Sequence, residues 1–251
     1  MKYRLEWRKG QPAISGSSVD YVGGQLKAAW EEAFLSYGLT GRRWERVLLI
    51  GMGASLMQIL ARSGTPPPYS TTILEKDPEM VRLQEAHFDL PLPYRVFIGD
   101  AANTVHKLTE TFDGIFVDAF VEREVPENLL NKDFLRALYQ RLDKHGLLLW
   151  NVLLGRQARR LEVMLGEFWP IVRTRRIGTH YFFPGRGSAR NYPDALLEIE
   201  EKSFTLWYAV SATGDNDRGC HASLGSTALR LQKLSDSWPI GRDYKLQRGL
   251  R

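Results

Sequence analysis

Residues 3 to 8 alternate between two kinds of side chain. Tyr3, Leu5 and Trp7 fall on one side of an extended segment and Arg4, Glu6 and Arg8 on the other, and "KGQP" then turns the chain toward a second short strand. This predicts a β-hairpin. In "GGQLKAAWEEAFLSYG" the period changes: Leu26, Ala29, Trp30, Ala33, Phe34 and Tyr37 recur at helical spacing, with Gly38 where a C-terminal cap belongs. From residue 46 onward apolar runs alternate with amphipathic stretches. Strands are expected at 46–50, 71–75, 94–98, 113–118 and 146–152, and helices at 54–63, 78–88, 102–110, 128–142 and 156–167.

Strands of continuous apolar character need both faces covered, which the intervening helices supply. The pattern therefore specifies a doubly wound α/β fold with a mainly parallel sheet, preceded by the hairpin. Beyond 168, "PIVRTRRIGTHYFFPG" reads as two strands around Gly178 and "SFTLWYAVSAT" as another. The chain divides into a hairpin and helix over 1–40, a nucleoside-binding domain over 41–212 and a tail over 213–251 whose Trp238 and Tyr244 suggest docking onto the domain.

Composition narrows the function classes. No window holds the roughly 18 uninterrupted apolar residues that cross a bilayer, and "MKYRLEWRKGQPAISG" lacks the apolar core of a secretory signal, so a cytoplasmic protein without membrane contact is expected. Cys220 is the lone cysteine and the five histidines are scattered, so neither a disulfide nor a metal site is expected. The formal charge of +5 is uneven: residues 1–150 hold 18 basic and 19 acidic side chains, and 151–251 hold 16 and 10. "RQARR" and "RTRR" supply the density. They read as solvated helix faces and sheet edges rather than as a nucleic-acid patch.

Candidate chemistry lies where an open parallel sheet binds ligands, beyond the C-terminal ends of its strands. Four successive strand ends carry "GMG" (51–53), "EKD" (75–77), "GDA" (99–101) and "DAF" (118–120). Gly51 and Gly53 let backbone approach a ligand and permit positive φ. A dinucleotide turn wants a third glycine at 56, where this chain has Leu56, so a pyrophosphate is disfavoured and with it a nicotinamide dehydrogenase. Glu75 stands where a carboxylate accepts both ribose hydroxyls. Asp100, followed by Ala101, can receive the amino group of adenine or cap the next helix. Asp118 can orient or deprotonate an acceptor amine. Ser55 and the amides at the helix start offer donors to a carboxylate. Together these fit an adenosine ligand without a pyrophosphate, as S-adenosylmethionine presents.

The run "RVLLIGMGAS … TTILEKDPEMVRLQEAHF … YRVFIGDAANTV … FDGIFVDAF … VPENLLNKDFLRALYQRLDKHGLLLWNV" resembles the spermidine synthase-like branch of the class I S-adenosylmethionine-dependent methyltransferase superfamily, over residues 46 to about 152. The resemblance implies a Rossmann-like fold. It places Gly51 and Gly53 against the nucleoside, Glu75 on the ribose, Asp100 on the adenine and Asp118 where the family keeps its catalytic aspartate. It implies S-adenosylmethionine, its decarboxylated form or methylthioadenosine as ligand, a small-molecule acceptor that could be an amine, and a homodimer formed through the N-terminal hairpin.

The departures from the family pattern are informative. Spermidine synthases carry an acid inside the glycine loop, where this chain reads "GMGASL", and a second acid at the fourth strand end, where it has Val121. Their upstream Tyr-His-Glu motif is missing. Glu122, Glu124 and Glu127 could substitute, or could belong to an ordinary acidic loop. The expectation is therefore methyl transfer, with Asp118 acting on the acceptor and His180 or Tyr181 as secondary candidates. The alternatives are aminopropyl transfer and nucleoside binding without catalysis.

Overall fold

A computed structural model of the chain describes residues 3–63, 66–169 and 174–186. Three short strands, β1 (Arg4–Arg8), β2 (Gln11–Ser15) and β3 (Asp20–Val22), form an antiparallel sheet in the order β1-β2-β3. The expected hairpin is thus extended by one strand. β3 is three residues long, too short to show a period, and Asp20 fixes its start by accepting from Arg8 and from the backbone N–H of Gln25.

Helix α1 (Gly24–Ser36) buries Leu26, Ala29, Trp30, Ala33 and Phe34, the face expected from their spacing. It ends as a glycine cap ends a helix. Gly38 takes φ +61°, and the N–H groups of Gly38 and Leu39 return to the carbonyls of Leu35 and Phe34.

The main sheet has seven strands among the described residues: β4 (Arg46–Ile50), β5 (Ser70–Glu75), β6 (Tyr94–Ile98), β7 (Phe112–Val117), β8 (Leu142–Val152), β9 (Arg175–Ile177) and β10 (His180–Arg186). Their order is β6-β5-β4-β7-β8-β10-β9, parallel from β6 to β8, with β10 antiparallel to both of its neighbours. β9 and β10 turn on Gly178, at φ +59°, as expected. The expected strand at "SFTLWYAVSAT" and the tail over 213–251 lie outside the described residues.

Between the strands run α2 (Ala54–Ser63), α3 (Pro78–His87), α4 (Ala101–Thr104), α5 (Lys132–Arg141) and α6 (Gly155–Gly166). Alternate residues of the inner strands enter opposite cores, whereas β6 and β9 have no fully buried residue. Val47, Leu49, Phe116, Leu149 and Phe182 pack with α1, α2 and α3, while Leu48, Ile50, Ile115, Val117, Leu148 and Trp150 pack with α4, α5 and α6. This two-sided burial is why the strands read as unbroken apolar runs.

Two helices are shorter than the pattern suggests. α4 stops at Thr104, whose hydroxyl donates back to the Asp100 carbonyl, and the chain tightens into a 3-10 turn over Val105–Lys107. α5 starts only after Asn131, whose side chain accepts from the Phe134 N–H and so sets the N-terminus; Glu127–Leu129 is a separate 3-10 turn.

The chain runs from β4 outward to β5 and β6 and then returns to the opposite side of β4 as β7. Order reverses between β4 and β7, so loops leaving their C-terminal ends diverge and open a crevice there.

Candidate functional site

A cavity of about 410 Å³ occupies this crevice. The strand-end residues Gly51, Gly53, Glu75, Asp100, Ala101 and Asp118 all line it, so the structure brings together six of the seven residues singled out from the sequence.

The glycine turn is shaped by close approach. Gly51 takes φ +98°, and a Cβ there would lie 2.5 Å from the carbonyl oxygen of Asp118; Gly53 takes φ +62°. Only glycine fits both demands at 51. The Gly51 N–H donates to Leu74 and the Asp118 N–H to Ile50, which holds three strand ends around one point.

Glu75 closes the far side of the turn. One of its carboxylate oxygens accepts from the Met52 N–H and the other from the Asp77 N–H, each at 2.8 Å. Both oxygens keep a second lone pair, which is what a pair of ribose hydroxyls requires. Burial raises its pKa against the opposing pull of those amides.

Asp100 caps α4 by accepting from the Ala102 N–H and also meets the Asn128 amide, at 2.7 and 2.8 Å to its two oxygens. Capping and cavity lining thus coincide at Asp100. Any base edge approaching it meets the Asp100–Asn128 pair.

Ser55 departs from expectation. It is 4% exposed and absent from the cavity wall, and its hydroxyl oxygen accepts from the backbone N–H of Gly23 at 3.0 Å. The Ala54 N–H likewise donates to the side chain of Gln84, 2.8 Å away. Ser55 and the first amide of α2 thus hold the N-terminal layer and α3 in place, and neither residue lines the cavity. The sequence gives no sign of this because the partners lie about 30 residues away.

Asp118 follows β7 on the face that Phe116 presents to α1. It lines the cavity, while one carboxylate oxygen accepts from the Asn151 amide at 3.1 Å. Desolvation raises its pKa to about 6, opposed by Asn151 and by the nearby indole of Trp30, whose N–H stays outside hydrogen-bond geometry.

The same Asn151 lies 3.1 Å from Nδ1 of His180, a residue 7% exposed. A carboxylate can only accept, so the Asn151 NH2 must face Asp118 and its oxygen must face His180. His180 then donates from Nδ1 and keeps its Nε2 lone pair. Burial and then the charge of Arg123 lower its pKa to about 4, so the ring is neutral. Neither His180 nor Tyr181, the two secondary candidates, lines this cavity, and Tyr181 packs in the opposite core.

The acidic loop after β7 is fully engaged. Glu122 accepts from the N–H groups of Ser17 and Ser18 and from the Ser18 hydroxyl, Glu124 pairs with Arg156, and Glu127 pairs with Arg160. None of the three lines the cavity. Among the described residues no cluster of three or more His, Cys, Asp or Glu could hold a metal, and no helix is long and apolar enough to cross a membrane.

Residues 69–149 match a family described as S-adenosyl-L-methionine-dependent methyltransferase. A polyamine aminopropyltransferase of Vibrio vulnificus is 29% identical over 136 residues, which is 50% of this chain and 45% of that protein. The chain thus spans about half the length of the curated relative it matches.

Among solved structures, a probable spermidine synthase from Corynebacterium glutamicum superposes with a TM-score of 0.60 at 20% identity, covering 76% of this chain and 78% of the other. Human methyltransferase-like protein 13, solved in complex with SAH, gives 0.57 at 14%, covering 79% and 99%. At these identities the structures establish a shared fold. With the sheet order, the family match and the aminopropyltransferase relative taken together, the chain fits the spermidine synthase-like branch of the class I S-adenosylmethionine-dependent methyltransferases.

Proposed function

We propose that the chain is a transferase that binds S-adenosylmethionine in the crevice between β4 and β7 and transfers its methyl group to a small-molecule acceptor. The observation that carries this is the convergence of a glycine turn with Glu75, Asp100 and Asp118 on one 410 Å³ cavity. Glu75 would hold the ribose hydroxyls and Asp100, with Asn128, the adenine edge. Gly51, Gly53 and Ala101 would let the nucleoside lie against backbone.

The donor supplies a carbon activated by its sulfonium and open to in-line attack. The protein's task is then positioning, worth up to roughly 7–11 kcal/mol where alignment is good. Asp118 receives the proton that the acceptor loses. With a pKa of about 6 it is ionised near neutrality yet more basic than an ordinary carboxylate, as a proton acceptor at pH 7 should be.

Aminopropyl transfer is the second reading, favoured by the named activity of the Vibrio vulnificus relative. Against it stand the acid-free "GMGASL" turn, Val121, and the internal pairing of Glu122, Glu124 and Glu127. Diamine recognition needs carboxylates free to face ammonium groups.

The leaving product decides between these readings. The full chain is incubated with each donor and a small-molecule extract, with putrescine in a parallel arm. S-adenosylhomocysteine formed from S-adenosylmethionine, and lost in Asp118→Asn, is the expected result. Methylthioadenosine formed from the decarboxylated donor and putrescine would replace it with aminopropyl transfer. Donor binding without either product would leave a non-catalytic nucleoside-binding protein.

A further inference from the structure

A second cavity, of about 370 Å³, lies beside the first, where the N-terminal sheet meets the ends of β8 and β10. Its charged lining consists of Arg4, Arg8, Arg123 and Asp20, with the neutral His180 beside them. Phe120 lines both cavities. The Asp118–Asn151–His180 chain also joins them, since Asp118 lines the first and His180 the second.

The carboxylate in this cavity is already satisfied. Asp20 accepts from Arg8 at 2.8 and 2.9 Å, from the Ser15 hydroxyl and from the Gln25 N–H. Glu6, outside the lining, binds Arg8 at 2.7 Å and sits 3.7 Å from Arg4. Arg123 is exposed and, among the described residues, has no acidic partner. It lies close enough to His180 for its charge to be felt there. The cavity therefore offers no free carboxylate to an ammonium group, and it offers a free guanidinium, with its fork of donors, to an oxyanion.

We infer that this second cavity holds the acceptor and that the acceptor is a small organic anion, its carboxylate or phosphate bound by Arg123 and its far end directed past Phe120 toward Asp118. The inference rests on the reading of the first cavity as the donor site. Its charge is the reverse of a polyamine's.

In the transfer the bond from the methyl carbon to sulfur breaks, and its electron pair stays on sulfur, giving a neutral thioether. A new bond forms between that carbon and the acceptor's nucleophilic atom. The proton lost by that atom passes to the Asp118 carboxylate. The Asn151 amide keeps Asp118 oriented, and Nε2 of His180, with no hydrogen-bond partner among the described residues, can accept a bond from the acceptor.

The test measures binding to the full chain in low-salt buffer, with three probes: malonate as the carboxylate, phosphoglycolate as the phosphate and putrescine as the dication. Each is titrated with and without saturating methylthioadenosine. At least one anion is expected to bind, and Arg123→Gln is expected to weaken it tenfold or more while methylthioadenosine affinity stays within twofold. Which anion binds more tightly identifies the acceptor's charged group. Putrescine binding in preference to both anions, no anion binding, or anion binding indifferent to Arg123→Gln would each overturn the inference. If anions bind in an Arg123-dependent way and methylthioadenosine does not, the donor-site reading fails and the acceptor role falls with it, leaving an anion site alone.

Discussion

At the scale of single residues, the Asp118–Asn151–His180 chain makes the sharpest claims, because its two ends titrate in opposite senses. Burial raises Asp118 from 3.8 to about 6, so the folded state holds its proton more tightly than the unfolded state, and stability falls as pH rises through that window. His180 is lowered from 6.5 to about 4, so its contribution is fully present above pH 6.5 and is lost as pH falls toward 4. Over the overlap the two slopes oppose and largely cancel.

Asp118→Asn removes one of them. It is expected to stabilise the protein by up to about 3 kcal/mol above pH 6 and to expose a clear loss of stability between pH 6.5 and 4. Urea unfolding at a series of pH values reads both effects. Parallel curves for the two proteins would show that the carboxyl is not desolvated. In the wild-type chain, activity should rise with an apparent pKa of about 6 as Asp118 ionises.

At the scale of elements, the glycine turn and the loop after β7 decide whether the crevice keeps its shape. Gly51→Ala forces a Cβ against the Asp118 carbonyl oxygen in a backbone conformation that alanine rarely adopts. It is expected to cost roughly 1–3 kcal/mol from the backbone alone, read as a lower denaturation midpoint, with weakened methylthioadenosine binding. An unchanged midpoint would place the turn elsewhere. Glu122 pins the loop over the cavity by holding the amides of Ser17 and Ser18 from more than a hundred residues away. In Glu122→Ala those two amides should lose hydrogen-exchange protection while the amides of β4 keep theirs.

How much of this was legible in the sequence follows from the range of the interactions. β4 to β8 could be read because each carries a continuous apolar run, which two-sided burial explains for all but the edge strand β6. Gly51, Glu75, Asp100 and Asp118 could be read because each ends such a run. The early stop of α4 at Thr104 and the late start of α5 at Asn131 depend on single side-chain caps that the apolar period does not register. Tyr3, Tyr21 and Asn128 in the cavity wall, the Glu122 clasp and the diversion of Ser55 to Gly23 depend on which distant segments meet. His180 stood out only as a histidine in an aromatic strand; its link to Asp118 exists because β10 lies beside β8.

At the scale of the whole molecule, the surplus basic charge of residues 151–251 is in part locally committed: Arg156 and Arg160 on α6 pair with Glu124 and Glu127. No sub-micromolar affinity for DNA or RNA is expected in fluorescence anisotropy at about 0.15 M salt; tight binding that falls steeply with added salt would contradict this. The proposed function puts the molecule's chemistry in one place, the cavity at the reversal of strand order between β4 and β7. The most direct test is equilibrium dialysis of S-adenosylmethionine, labelled in its adenosine, against the full chain and Glu75→Ala. The account predicts saturable binding to one site per chain, weakened at least tenfold in Glu75→Ala, in line with about 1.5–3 kcal/mol for a hydrogen bond to a charged group. Absence of saturable binding, or equal affinity in the two proteins, would contradict it.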